Sequence, residues 1–269
     1  MRDCCLGSSP SVSGRDGLAS GEPLQRWNQG FLTGTAKERN AMGKAIFITG
    51  TGTDVGKTYV TGLLVKKIRE AGLDGSYYKA ALSGAEPDGN GKLVPGDAAW
   101  VKETAGIPDP LEDLVTYVYR EAVSPHLAAR INNHPVDLDK IRQAFRKAKD
   151  RHQYLTMEGS GGILCPLGWE KDHHLLLEDM IQALDLGCLL VADGGLGTIN
   201  STVLTVEYLR HRAIPVRGIL FNRWKPGDRM QEDNRIMVGE LTGLPVLACV
   251  KEGDRELEGP LDRLLETYT

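Results

Sequence analysis

The run Gly50-Thr51-Gly52-Thr53-Asp54-Val55-Gly56-Lys57-Thr58 constrains this chain more than any other stretch. Before it lies a short apolar, β-rich segment at 44–49, KAIFIT. After it, from Thr58 to Glu70, the apolar residues Val60, Leu63, Leu64 and Ile68 recur at helical spacing. A strand that runs through a glycine loop directly into a helix is the opening unit of a layered α/β fold. Glycines let backbone N–H groups converge on an anion, and the helix N-terminus adds partial positive charge. Lys57 can reach β- and γ-phosphate oxygens, and the Thr58 hydroxyl suits Mg2+. The spacing is unusual, however. A loop of the form G-x-x-x-x-G-K-[ST] would need glycine at position 51, where Thr51 stands, and Gly50 comes one residue early. The loop keeps the phosphate grip and carries one extra residue upstream of it.

The rest of the chain repeats the alternation. Apolar runs at 75–80, 153–157, 188–193, 215–222 and 244–250 read as strands. Continuous apolar runs suit strands covered on both faces. Between them fall helical segments at about 97–104, 137–149, 174–185, 200–211 and 229–241, with Asp137 placed to cap the second of these. The expected fold is α/β, a doubly wound and mostly parallel sheet with helices on both faces, of the P-loop NTPase type. Residues 42–269 are expected to form a single domain. Residues 1–41 differ: they are rich in Gly, Ser and charge and show no periodicity. They lack the basic and apolar regions of a signal peptide and could bury little apolar surface. They read as a disordered N-terminal extension, with Met42 as the functional start.

Bulk properties exclude some partners. The formal net charge is −4 and the pI about 5.9, so no basic excess exists to follow a nucleic-acid backbone. No apolar run approaches the roughly 18 residues of a membrane span. Cys4, Cys5, Cys165, Cys188 and Cys249 form no C-x-x-C pair and no metal-ligand cluster. An odd set of free thiols suits a reducing, cytoplasmic setting.

In a sheet of this kind ligands bind beyond the carboxyl ends of the strands. The second strand ends in YYKAALSG, which brings Lys79 and Ser83 beside the loop. Asp97 opens the next helix, as a metal ligand or as an N-cap. Glu158 ends a strand before the glycine-rich turn that holds Gly161, where a P-loop protein holds Mg2+ or a water. Asn200 enters a helix after LGTIN, and Asn222 ends the strand GILFN, where an amide can meet an adenine edge or simply shape a turn.

Taken in order, GTGTDVGKT, YYKAALSG, GDA, SPHLAA, EGSGG with CPL, LGTIN, FNRW and GLPV resemble the motifs of the dethiobiotin synthetase family, from about Met42 to near the C-terminus. The longer glycine loop is itself a trait of that family. The resemblance implies an ATP-dependent cyclo-ligase acting on 7,8-diaminononanoate and CO2 (or bicarbonate). One amine captures CO2 as a carbamate, the carbamate oxygen attacks the γ-phosphoryl group, and the second amine closes the ureido ring as phosphate leaves. It implies Lys57, Lys79, Thr53 and Ser83 as catalytic residues, and Thr58, Asp97 and Glu158 as ligands of Mg2+. It implies nucleotide contacts from Gly52, Asp54, Val55, Gly56, Lys57, Thr58, Tyr59, Asn222 and Pro245. Substrate contacts are implied for Lys79, Ser83, Gly161 and Asn200, the last near the interface of a homodimer. The chain departs from the family pattern at Asp54, where glutamate is frequent, at Ser160, where alanine is common, and at Ala80, where proline is common. None of these removes a charged group.

Other readings fit the sequence less well, among them the synthetase half of a cobyrinate-type amidotransferase, since ~227 residues leave no room for a glutaminase domain. Partition- and iron-protein-type ATPase switches carry their second lysine inside the loop, whereas here it falls on another strand. A nucleotide-binding module without turnover would lack the acidic metal ligands, and Asp97 and Glu158 are both present.

Overall fold

The computed structural model describes residues 43–269 apart from position 172. The expectations for residues 1–41 and for Met42 as the start lie outside the described residues.

Seven parallel strands form the central sheet, in the order β11-β10-β9-β1-β6-β2-β5. They are β1 (Lys44–Gly50), β2 (Gly75–Leu82), β5 (Val115–Val118), β6 (Tyr154–Glu158), β9 (Cys188–Asp193), β10 (Val216–Asn222) and β11 (Val246–Cys249). Two antiparallel hairpins lie outside it, β3 (Glu86–Pro87) with β4 (Leu93–Val94) and β7 (Pro166–Glu170) with β8 (His173–Leu176). The helices are α1 (Lys57–Glu70), α2 (Gly96–Ala105), α3 (Leu111–Leu114), α4 (Pro125–Ile131), α5 (Leu138–Arg151), α6 (Leu177–Ala183), α7 (Thr198–His211), α8 (Arg229–Thr242) and α9 (Leu261–Leu265).

Both faces of the sheet are covered, which is why its strands can be apolar throughout. On one face Val60, Leu63 and Leu64 of α1 and Leu264 of α9 pack against Ile46, Ile48, Leu189 and Leu220. On the other, Ile141 and Phe145 of α5, Met180 of α6 and Leu209 of α7 pack against Phe47, Tyr78, Leu155 and Met157. Among the described residues no helix is long and apolar enough to cross a membrane.

The structure corrects the helix expected at 174–185. Residues 173–176 pair with β7 as a strand, and the helix begins only at Leu177. The Asp179 carboxylate accepts the Leu176 N–H at 2.9 Å and fixes that start. Strand β5 had no sequence signal of its own. Val115-Thr116-Tyr117-Val118 alternates buried and half-buried positions at the edge of the sheet, and its four residues are too short to show a period.

Candidate active site

Parallel strands bring β1, β2 and β6 to a common end. Lys79 lies in register with Glu158, and Ile48 lies in register with Glu158 on its other side. Beyond this edge opens a cleft of about 700 Å³, lined by residues of the glycine loop, α1, α2, β2 and the turn after β6.

The loop between β1 and α1 is shaped by two left-handed positions, Asp54 (φ 59°) and Gly56 (φ 87°). No side chain caps α1, so its first N–H groups are left for a bound anion. Gly56 is constrained twice over. Its φ favours glycine, and a Cβ there would stand 1.9 Å from Asn222 Nδ2. That Nδ2 donates to the Val55 carbonyl at 3.0 Å and ties the loop to the end of β10. Gly56→Ala is therefore expected to break this tie and lower the melting temperature by several degrees, the strain alone costing about 1–3 kcal/mol. It should also weaken ADP binding; calorimetry showing unchanged affinity would count against the brace.

Lys57 is buried, and its Nζ donates to Gly52 O at 2.9 Å. Burial lowers its pKa below the usual lysine value, Lys79 adds to the effect, and Glu158 opposes it. The next residue, Thr58, donates through Oγ1 to Glu158 Oε1 at 2.8 Å.

Lys79 Nζ reaches the same Glu158 oxygen at 2.7 Å and Asp97 Oδ2 at 2.5 Å. Burial by itself would lower its pKa, but Glu158 and Asp97 together outweigh that and the net direction is upward. Lys79 thus stays an ammonium inside the protein. Asp97 sits one residue inside α2, whose N-cap is Pro95, so the carboxylate does not cap its helix and is aimed at the cleft instead.

Thr53, Asp54, Gly56, Lys57, Thr58, Tyr59, Lys79, Ser83, Asp97, Glu158 and Gly161, all expected from the sequence, line this one cleft. Gly52 and Val55 lie behind it, supplying the carbonyls to Lys57 and Asn222. Asn222 is buried and commits one N–H to the loop, so bracing is its visible role. Asn200 lies apart, exposed on the first turn of α7. Pro245 is a correction. It precedes β11 and faces a different cavity with Arg217, Leu247 and Arg263. A residue at the incoming end of a parallel strand cannot face a site built at the outgoing ends.

Several site residues were not anticipated. Trp100 of α2 lines the cleft, with its ring centroid 5.4 Å from that of Tyr59. Gly62 lets it lie down on α1, since a Cβ there would meet the indole at 2.3 Å. Arg223 lines the cleft too, donating to Asp193 Oδ2 and to Asp54 O, each at 2.7 Å. The Ser160 hydroxyl donates to Ala81 O at 2.7 Å, a tie between the turn after β6 and the end of β2 that alanine could not make. In the sequence Trp100 follows Asp97 by three positions on the same helical segment, and Arg223 and Ser160 fall inside FNRW and EGSGG; the contact of Trp100 with Gly62 is visible only in the structure.

None of the three described cysteines, Cys165, Cys188 and Cys249, lines the cleft. Burial raises the thiol pKa of Cys165 and of Cys249 to about 11 each, and that of Cys188 upward as well, which keeps all three protonated and unreactive.

A glycine loop gripping with Lys57, two carboxylates and a second buried lysine, set at the carboxyl edge of a parallel sheet, define a P-loop nucleotide-binding protein. The family model for an AAA domain matches residues 44–256. ATP-dependent dethiobiotin synthetase BioD of Clostridium botulinum (strain Loch Maree) is 44% identical over 227 residues, covering 84% of this chain and 99% of that protein. The protein of the same name from Brachyspira hyodysenteriae is 44% identical over 217 residues, covering 81% and 96%. Among solved structures, a ParA family ATPase from Chlorobium tepidum TLS aligns at 11% identity with a TM-score of 0.47, over 78% of this chain and 85% of that one. The chain belongs to the AAA domain family and, within it, to the dethiobiotin synthetases.

Proposed function

We propose that the protein joins 7,8-diaminononanoate to CO2 in an ATP-dependent reaction that closes the ureido ring of dethiobiotin, within one domain spanning residues 42–269. The observation that carries the reading is Lys79, a buried ammonium held 2.7 Å from Glu158 and 2.5 Å from Asp97 on the cleft that Lys57 and Ser83 also line. A carbamate and a γ-phosphate are both anions. Bringing them together calls for fixed positive charge between them, and a second lysine from a separate strand supplies it.

In this reading the carbamate oxygen attacks the γ-phosphorus and ADP departs, leaving a carbamic-phosphoric anhydride. The second amine then attacks the carbonyl carbon, and phosphate leaves as the ring closes. Lys57 and the free N–H groups of α1 hold the phosphates. Thr53 and Ser83, both lining the cleft, touch the carbamate or the transferring phosphate. Gly161, at φ 65° beside Thr53, keeps the wall next to the loop free of a side chain.

Mg2+ suits the donors present. The Thr58 hydroxyl and the Glu158 and Asp97 carboxylates converge on one spot, where the Lys79 ammonium is already bound by both acids. An all-oxygen set with few carboxylates, completed by phosphate and water, is how Mg2+ is usually held. Among the described residues no group of three or more His, Cys, Asp or Glu could hold a metal ion unaided, so the nucleotide would complete the site. Bound there, the ion would neutralise phosphate charge and orient the in-line transfer. The exposed position of Asn200 fits a substrate contact made across a homodimer, and this reading assigns the enzyme to the cytoplasm.

The deciding measurement is ADP release with diaminononanoate, bicarbonate and Mg2+, omitting each in turn. All three are expected to be required. ATP turnover indifferent to the diamine would overturn the ligase reading.

A further inference from the structure

We infer that Tyr77 is a positioning residue of this site, orienting the Glu158 carboxylate so that a single oxygen faces Thr58 and Lys79. The inference rests on the ligase reading and its Mg2+ ligand set. Tyr77 lies two residues before Lys79 on β2 and so shares its face of the sheet. Its hydroxyl donates to Glu158 Oε2 at 3.0 Å. Thr58 Oγ1 and Lys79 Nζ both approach the other oxygen, Oε1, at 2.8 and 2.7 Å. The two ends of the carboxylate are thereby given different partners: the inner one a neutral phenol, the outer one the groups of the reaction.

The last torsion of a glutamate side chain is broad, so the backbone does not choose the tilt of the carboxylate plane, and with it whether an oxygen points squarely into the cleft. Water cannot choose either, because Glu158 is 1% exposed. Tyr77 makes the choice, and its own position is fixed by packing. The ring is fully buried among Val65 of α1, Val101 of α2 and Leu114 of α3. Tyr77 therefore links the orientation of Glu158 to α2, the helix that carries Asp97. Partners of this kind behind a metal-binding carboxylate typically change metal affinity or activity 10- to 100-fold when removed.

The test is Tyr77→Phe, which keeps the ring in the core and removes only the hydroxyl. Tyr78→Phe is the control: Tyr78 is equally buried on the same strand, but its hydroxyl pairs with Thr116 at 2.6 Å, away from the cleft. Mn2+ binding in the presence of ADP, read by electron paramagnetic resonance, should weaken about tenfold or more in Tyr77→Phe and stay at the wild-type value in Tyr78→Phe. In turnover assays the Mg2+ concentration for half-maximal rate should rise by more than kcat falls. Unchanged Mn2+ affinity in Tyr77→Phe, or equal weakening in both variants, would overturn the inference. Wild-type protein that binds Mn2+ and ADP but turns over ATP without the diamine would overturn the ligase reading instead, while the Mn2+ comparison would still decide the role of Tyr77.

Discussion

Lys79→Ala is expected to retain ADP and ATP while losing roughly 10²- to 10³-fold in kcat, the usual loss on removing one fixed electrostatic contact to developing charge. Retention follows from the geometry. Lys79 comes from β2 and is held by Glu158 and Asp97, whereas the phosphate grip is made by the loop and Lys57. Stability should also fall. Because the folded pKa of Lys79 is raised, its contribution is fully present below the unfolded value of 10.5 and is lost as pH rises through the folded pKa. At neutral pH the alanine variant lacks all of it. Removing one partner of a buried pair leaves the other charge uncompensated, typically costing about 3–5 kcal/mol; Asp97, at 39% side-chain exposure, contributes little of this. Calorimetric ADP affinity and single-turnover rates, both measured well below the variant's melting temperature, separate the two effects. A loss of ADP affinity comparable to the loss of rate would place Lys79 in the nucleotide grip rather than at the meeting point of carbamate and phosphate.

The glycine loop between β1 and α1 was legible in the sequence because its neighbours were unambiguous: a β-rich run on one side, a helical apolar stripe on the other. Lys79, Asp97 and Glu158 were legible for a related reason. Lys79 lies in the second half of β2, Asp97 opens α2 and Glu158 ends β6, and a parallel sheet gathers the outgoing ends of its strands. Tyr77 was not. Within GSYYKAAL its aromatic ring reads as core, which it is, and nothing local shows that the hydroxyl at the far end of the ring meets a carboxylate 81 positions away. Pro245 precedes β11 and so stands at the incoming end of that strand, away from the edge where the cleft opens. The segment 174–185 was misread since its apolar residues Leu175, Leu176 and Leu177 serve a strand end and a helix start in direct succession. The boundary depends on Asp179 reaching back to Leu176.

Lys57→Ala should differ from Lys79→Ala in nucleotide affinity and in stability, though both lose turnover. Its ammonium lies on the loop at 2.9 Å from Gly52 O, where it is placed to turn from that carbonyl to the phosphates. A hydrogen bond to a charged group contributes about 1.5–3 kcal/mol, so ADP affinity should fall roughly 10- to 100-fold, and turnover should fall with it. The fold should not suffer. Burial lowers the Lys57 pKa, so at pH 7 the folded protein carries a charge it would rather not hold, and this penalty fades as pH rises through the lowered folded pKa. Alanine removes the penalty, and the lost Gly52 contact offsets part of the gain. The melting temperature of the variant should match or exceed that of the wild type at pH 7, and the gap should close as pH rises towards the unfolded lysine value of 10.5. A marked drop in melting temperature would make Lys57 a structural brace of the loop. Unchanged ADP affinity would remove it from the phosphate grip, and the extra residue upstream of Gly56 would then need another explanation.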